Sequence, residues 1–269
     1  MSTVAAVRVA LGLAVCVVGY LLLAYLILPS FWQHYEHQPG LRGRRMTTVT
    51  AQGIPGDPLN IALVGSKTDV MGAWRLAGWY PADAITLRTS VEIAESVVLD
   101  RPYPDAPVSN LFYDGRRQDL AFEKPVGSSA DERHHVRLWA ILDEGAEHRP
   151  VWLGSATYDR GVGISHYTGQ ITHHIAPNVD AERNFVMAEL ARAGMLMEIY
   201  HVAGVGPTVR GRNGGGDLYF TDGEMTVGVI RPNAIPTNVS PETRASPPHI
   251  ALKNSIWSAI GRVLDTRAD

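Results

Sequence analysis

Twenty residues without a charge, Val9 to Leu28, stand between Arg8 and Pro29, and they constrain this chain more than any other stretch. A helix rises about 1.5 Å per residue, so the run reaches roughly 30 Å, the thickness of a bilayer's hydrocarbon core. A cleaved signal peptide is the main competitor, but its apolar region usually spans about 7–15 residues and ends at a small-x-small site. Here the run ends in Tyr25-Leu26-Ile27-Leu28-Pro29. The expectation is an uncleaved transmembrane anchor in residues 1–30, with the lipid bilayer as its partner. Gly12 and Gly19 lack the small-xxx-small spacing of a helix dimer seam. Flanking charge is divided, because Arg8 precedes the span while Arg42, Arg44 and Arg45 follow near the limit at which such charges count. A short tail before a domain of about 240 residues favours a single-pass signal anchor, with the soluble domain outside the cytoplasm. Phe31, Trp32 and Tyr35 fall at the headgroup level.

The single cysteine, Cys16, lies inside the apolar run, so neither an intramolecular disulfide nor a cysteine-based zinc site is possible. The formal charge is only -3 and the basic residues are scattered, which is unlike a nucleic-acid footprint. Length suggests one domain with one core. The expected layout is a linker over 31–56, a domain over 57–231, and a proline-rich tether with a closing amphipathic helix over 232–269.

Within that domain, Ile61-Ala62-Leu63-Val64-Gly65 reads as a short buried strand, and Ser66 caps a helix from Thr68 to Ala77 that stops at Gly78. Gly-Ser-Lys-Thr here lacks the earlier glycine of a phosphate loop. Helical spacing predicts a second helix over Thr89 to Leu99, followed by a stiff proline-rich loop over Arg101 to Pro107. Gln118 to Phe122, His134 to Leu142 and Val151 to Tyr158 read as strands joined by hairpin-like connections. Asp180 is the expected N-cap of a helix through Phe185, Val186 and Leu190. Asp222-Gly223 marks a hairpin between Leu218-Tyr219-Phe220 and the strand from Met225 to Ile230. Leu252, Ile256, Ile260, Val263 and Leu264 lie largely on one face of the closing helix.

The chemistry gathers between Ser109 and Glu182, where histidines, arginines and acids crowd strand-like segments that are costly to bury unpaired. In a strand over Arg133 to Trp139, His134, Val136 and Leu138 face one way, and Arg133, His135, Arg137 and Trp139 the other. The same parity separates His173 from His174, so one histidine from each pair can meet Asp159 or Asp180. Two imidazoles and a carboxylate, His135, His174 and Asp180, make one candidate set for a divalent transition metal. No His-Glu-x-x-His motif accompanies them. Without metal, Arg133, Arg137 and Arg183 can hold an anion while His135, His174 and Asp159 supply acid–base chemistry. Asp180 and Glu182 also suit a plain helix start. His166-Tyr167-Thr168 matches half of a two-histidine phosphoesterase signature whose second half is absent, and reads as a loop. No Gly-x-Ser-x-Gly elbow occurs. Trp74, Trp79, Trp139 and Trp152 read as core.

Taken in order, Pro58-Leu59-Asn60, Ala77-Gly78-Trp79, Ser109-Asn110-Leu111 with Gly115 to Phe122, Arg133 to Trp139, Trp152-Leu153-Gly154 and Thr172 to Arg183 resemble the LssY C-terminal domain family over roughly Leu59 to Ile230. That resemblance implies kinship without an established reaction; such domains occur alone or beside lipid-phosphatase-like or DedA-like membrane segments. The expected fold is α+β, with an antiparallel or mixed sheet and flanking helices behind one N-terminal transmembrane helix. Two function classes stay open. One is an accessory or anionic-ligand-binding module of the cell envelope, its ligand an anionic lipid or metabolite. The other is an envelope hydrolase, metal-dependent or not, acting on a phosphorylated lipid or metabolite.

Overall fold

Strand Ile61–Val64 shows why the domain has two cores rather than one: all four of its side chains are buried, alternately on opposite faces. A continuous apolar run of this kind suits only a strand covered on both sides. In the computed structural model, which describes residues 3–82, 110–127, 132–169, 171–206 and 208–265, this strand sits near the middle of a large mixed sheet. The helix predicted over Thr89 to Leu99 and the loop over Arg101 to Pro107 lie outside the described residues.

The chain opens with helix α1 (Thr3–Ser30), long and apolar enough to cross a membrane and wholly unburied by the rest of the chain. There follow β1 (Thr47–Val49), β2 (Pro55–Pro58), β3 (Ile61–Val64), α2 (Lys67–Leu76), β4 (Tyr80–Pro81), β5 (Phe112–Tyr113), β6 (Arg116–Arg117), β7 (Leu120–Pro125), β8 (Glu132–Leu142), β9 (Val151–Ile164) and β10 (Ile171–Ile175). Then come α3 (Val179–Arg192), β11 (Leu196–Ala203), β12 (Arg210–Arg212), β13 (Leu218–Phe220), β14 (Glu224–Ile230), β15 (Glu242–Thr243) and α4 (Pro248–Asp265). The large sheet has the order β15-β11-β14-β3-β9-β8-β7-β4, with β10 also on β9. Strands β7, β8 and β9 form an antiparallel meander, while β14 runs parallel to β3. The fold is therefore α+β with a mixed sheet.

Helices α2 and α3 cover one face. Val70, Trp74, Val186 and Leu190 pack there on Ile61, Leu63, Val136 and Leu138. The other face is covered by Leu41, Met46, Leu111 and Tyr113, from segments near or within the small sheet β2-β1-β5-β6. All four expected core tryptophans are buried. Ser66 and Asp69 close a full capping box on α2, and Gly78, with φ of 77°, ends the turn after it.

Three elements depart from their local expectation. Asn178, not Asp180, caps α3 by accepting from Ala181 N; Asp180 is drawn instead to Thr221 Oγ1 and Asp222 N, at 2.7 Å each. Asp222-Gly223 is no hairpin, because β13 pairs with β12 while β14 enters the large sheet between β11 and β3. The supposed tether is tied down, since β15 pairs with β11 and Arg244 N donates to Ile199 O.

Asn60 is the peg that joins sheet to helix. Its Nδ2 donates to Ala156 O and Val179 O at 2.9 and 3.0 Å, and its Oδ1 accepts from Ala156 N at 2.9 Å. Asn60→Ala would leave these buried groups unsatisfied, at about 2–4 kcal/mol. Denaturant melts of the variant are expected to show that loss; a cost below about 0.5 kcal/mol would mean that the peg is dispensable.

Candidate functional site

Cross-strand register builds the site. Because β8 and β9 pair Arg133 with Asp159, His135 with Thr157, and Arg137 with Ser155, all six side chains share one face. Glu123 on β7 pairs with His135, and Asp57 at the end of β2 reaches Arg137. Four of these residues, Arg133, His135, Arg137 and Asp159, are at most 4% exposed. Even so they line a cavity of about 300 Å³, together with His173, Ser165, Thr168, Thr172 and the loop from Asn213 to Gly215.

The charges inside are closely matched. Arg133 donates through Nε to Asp159 at 3.1 Å and through Nη1 to Glu123 at 2.9 Å. Its Nη2 stands 3.3 Å from His173 Nδ1. Arg137 Nη1 donates to Asp57 at 3.3 Å and to His135 Nε2 at 2.8 Å. An arginine cannot accept, so Nε2 must be the acceptor and the proton of a neutral His135 must sit on Nδ1. That nitrogen lies 3.0 Å from Asp159 Oδ2, with its N–H angled off the line of a good hydrogen bond. Thr157 Oγ1, at 2.5 Å, crowds the same Nε2.

Burial pushes the His135 imidazole below its ordinary value; Asp159 opposes this, while Arg137 and Arg133 add to it. Burial alone would raise the Asp159 carboxyl, but His135, His173 and Arg133 outweigh it and hold the group well below the usual carboxylate range. Asp57 is raised by burial, which Arg137 and His135 only partly offset. With three carboxylates against two guanidiniums and a neutral His135, the cluster carries no surplus positive charge.

The candidates from sequence do not form one constellation. His135, Asp159, Arg133 and Arg137 come together; Asp180 and Arg183 do not join them. Helix α3 packs on the Val136 and Leu138 face, so the sheet lies between it and the cavity. There Arg183 grips Asp222 in a two-pronged pair at 2.8 and 3.0 Å and donates to Glu224 O. Arg183 and Asp180 instead line a separate cavity beside α4. A metal set of His135, His174 and Asp180 is therefore not assembled.

His174 is diverted as well. Opposite His174, β9 carries an extra residue, a bulge at Arg160 and Gly161 that shifts its register against β10. As a result His173, not His174, approaches Asp159, at 4.0 Å. His174 Nδ1 meets Asp217 Oδ1 at 2.6 Å, and His166 lies beside it.

A family model for the LssY C-terminus matches residues 35–225, well over half of the chain. The chain belongs to the LssY C-terminus family. No curated protein and no solved structure matches it. The matched stretch includes every residue of the cavity named above.

In this LssY C-terminus domain, sequence reasoning overlooked Asp57, Glu123, Asn213 and Asp217 and passed over His173 and His166. Glu123 carried a usable signal, since an acid flanked by Phe122 and Lys124 in an alternating strand shares the parity of Arg133 and His135 once the meander is drawn. Asp57 and Asp217 carried none, because only the folded chain brings their loops to the sheet.

Asp159→Asn would leave Arg133 facing one carboxylate fewer in a buried site, a loss of about 3–5 kcal/mol at neutral pH. A depressed carboxyl contributes stability that is fully present above its unfolded value, about 3.9, and lost as pH falls through the folded one. Denaturant melts of both proteins should therefore differ steadily above about pH 5 and converge in stronger acid. A gap that widened on acidification would contradict the pairing.

Proposed function

We propose that this protein is anchored in the cell membrane by α1, with its domain outside the cytoplasm. It serves there as an accessory or binding module for a small anionic ligand, such as a lipid headgroup or envelope metabolite. One observation carries the reading: almost fully buried Arg133, His135, Arg137 and Asp159 line an open cavity instead of being packed under protein. A purely structural ion network needs no such space, because charges without close partners are costly to bury.

The charge balance narrows the ligand. Arg133 and Arg137 already face carboxylates, so a dianion would meet Asp57, Glu123 and Asp159 without free compensation. A singly charged group that also offers hydroxyls suits the cavity better. His173 and the hydroxyls of Ser165, Thr168 and Thr172 are the lining groups suited to hold it.

Thermal melts of the full chain in detergent, with glycerophosphoglycerol and with glycerol 3-phosphate, test this. A ligand at about 100 times its Kd stabilises by about 2.7 kcal/mol, roughly 5–10 °C for a domain of this size. The phosphodiester is expected to raise Tm more than the monoester does, and the rise should vanish in His173→Ala. No rise with either compound would remove the reading.

A hydrolase acting on a phosphorylated lipid or metabolite is the second reading, favoured by an imidazole and an ionised carboxylate in one cavity, His173 and Asp159. Release of glycerol from the bound phosphodiester, abolished in His173→Ala, would separate catalysis from binding alone.

A further inference from the structure

We propose that His166, His174 and Asp217 form a divalent transition-metal site, suited to zinc, at the rim of this cavity. One ligand atom from each, two imidazole nitrogens and a carboxylate oxygen, lies within 4.8 Å of the others. Around a tetrahedral ion with bonds of about 2.0–2.1 Å, ligand atoms stand roughly 3.3 Å apart, so small side-chain rotations close the set. His174 Nδ1 and Asp217 Oδ1, 2.6 Å apart, share a proton whose place the ion would take. Three protein ligands leave a fourth position open, as catalytic zinc sites do.

The surroundings hold these groups in place. Asp217 Oδ2 accepts from Ile175 N at 3.1 Å and from Asn213 Nδ2 at 3.4 Å, which fixes the carboxylate plane. Asn213 Oδ1 in turn accepts from Gly215 N and Asp217 N, and His166 N donates to Gly215 O. Both imidazoles occupy space that glycines vacate. A Cβ at Gly163 would stand 2.3 Å from His174 Nε2, and one at Gly216 would stand 2.7 Å from His166 Cβ. The site does not depend on which ligand the cavity takes.

The test is zinc content by elemental analysis, together with zinc and cobalt titration of the detergent-solubilised full chain without a polyhistidine tag. The wild type is expected to bind one equivalent, with the intense visible bands of tetrahedral cobalt. His174→Ala and Asp217→Asn should weaken binding at least about tenfold and abolish those bands. His166→Gln alters an exposed residue and serves as the variant least able to disturb folding. His148→Ala, at an exposed histidine paired with Glu144, should bind as the wild type does. A wild type that takes up no metal, or a folded His166→Gln variant with unchanged affinity and cobalt spectrum, would overturn the assignment.

A separate observation concerns α4, and we infer that this helix lies in the membrane interface; the inference rests on the anchoring reading of α1. Its buried side presents Ile250 and Lys253 to the domain, whereas Leu252, Ile256 and Val263 are 51–56% exposed on the opposite side. His249, three residues before Leu252 on the same flank, meets Phe31 edge-on with ring centroids 5.6 Å apart. Trp32 meets Trp257 at 6.2 Å. The uncovered stripe thus adjoins the residues where α1 would leave the bilayer, as expected of a helix lying in the interface.

Spin labels in the full chain on a Cys16→Ser background, reconstituted in phosphatidylcholine–phosphatidylglycerol vesicles, read this directly. Labels at Ile256→Cys and Leu21→Cys should be relaxed by oxygen and shielded from an aqueous nickel complex, and one at Ser255→Cys the reverse. Equal nickel access at 255 and 256, or dipolar broadening at 256 from a second copy, would overturn the interfacial placement. Nickel access at 21 would remove the anchoring reading as well.

Discussion

The buried pair of Arg133 and Asp159 is the interaction on which the site's architecture depends. Each is at most 3% exposed, so each relies on the other for part of the compensation that a buried charge requires. The β8–β9 register that joins them also sets His135 opposite Thr157 and Arg137 opposite Ser155. Glu123 extends the network to β7, and Asp57 extends it to β2. A one-residue slip would turn every one of these groups into the core beneath α3, so the charges specify register as strongly as the apolar residues behind them.

A second buried hub performs a comparable task for the chain's two ends. Glu224 on β14 is 2% exposed and accepts from Lys253 of α4, while His34, four residues beyond α1, reaches its other oxygen at 2.6 Å. Burial would lower the His34 imidazole, but Glu224 outweighs it and the net shift is upward. The exit from α1, the large sheet and the C-terminal helix are thus joined at one carboxylate. Arg183 donates to the backbone of that same residue, so α3 is tied in as well.

Regular elements were legible where one period governed them. The strict alternation in β8 sorted Arg133, His135 and Arg137 from His134, Val136 and Leu138, and the folded chain keeps that division. The α2 cap at Ser66 was equally local. Errors arose where a distant partner outbid a local preference. Asp180 suited a cap by type, yet Thr221 and Asp222 claimed its carboxylate and Asn178 took the cap. The spacing on α4 marked an apolar face, yet the side that docks carries Lys253, because Glu224 lies beneath it.

Sequence alone determined the membrane-length helix, the α+β alternation, the parity of β8 and membership in a family, because each rests on short-range spacing or on motifs in order. Tertiary structure decided which histidine met which acid. A single bulge in β9 exchanged His173 for His174 at Asp159, and a glycine-rich loop more than forty residues away brought Asp217 to His174. Neither event has a local signature, since a bulge is stabilised by what packs around it and a loop's landing place is set by the sheet it closes over.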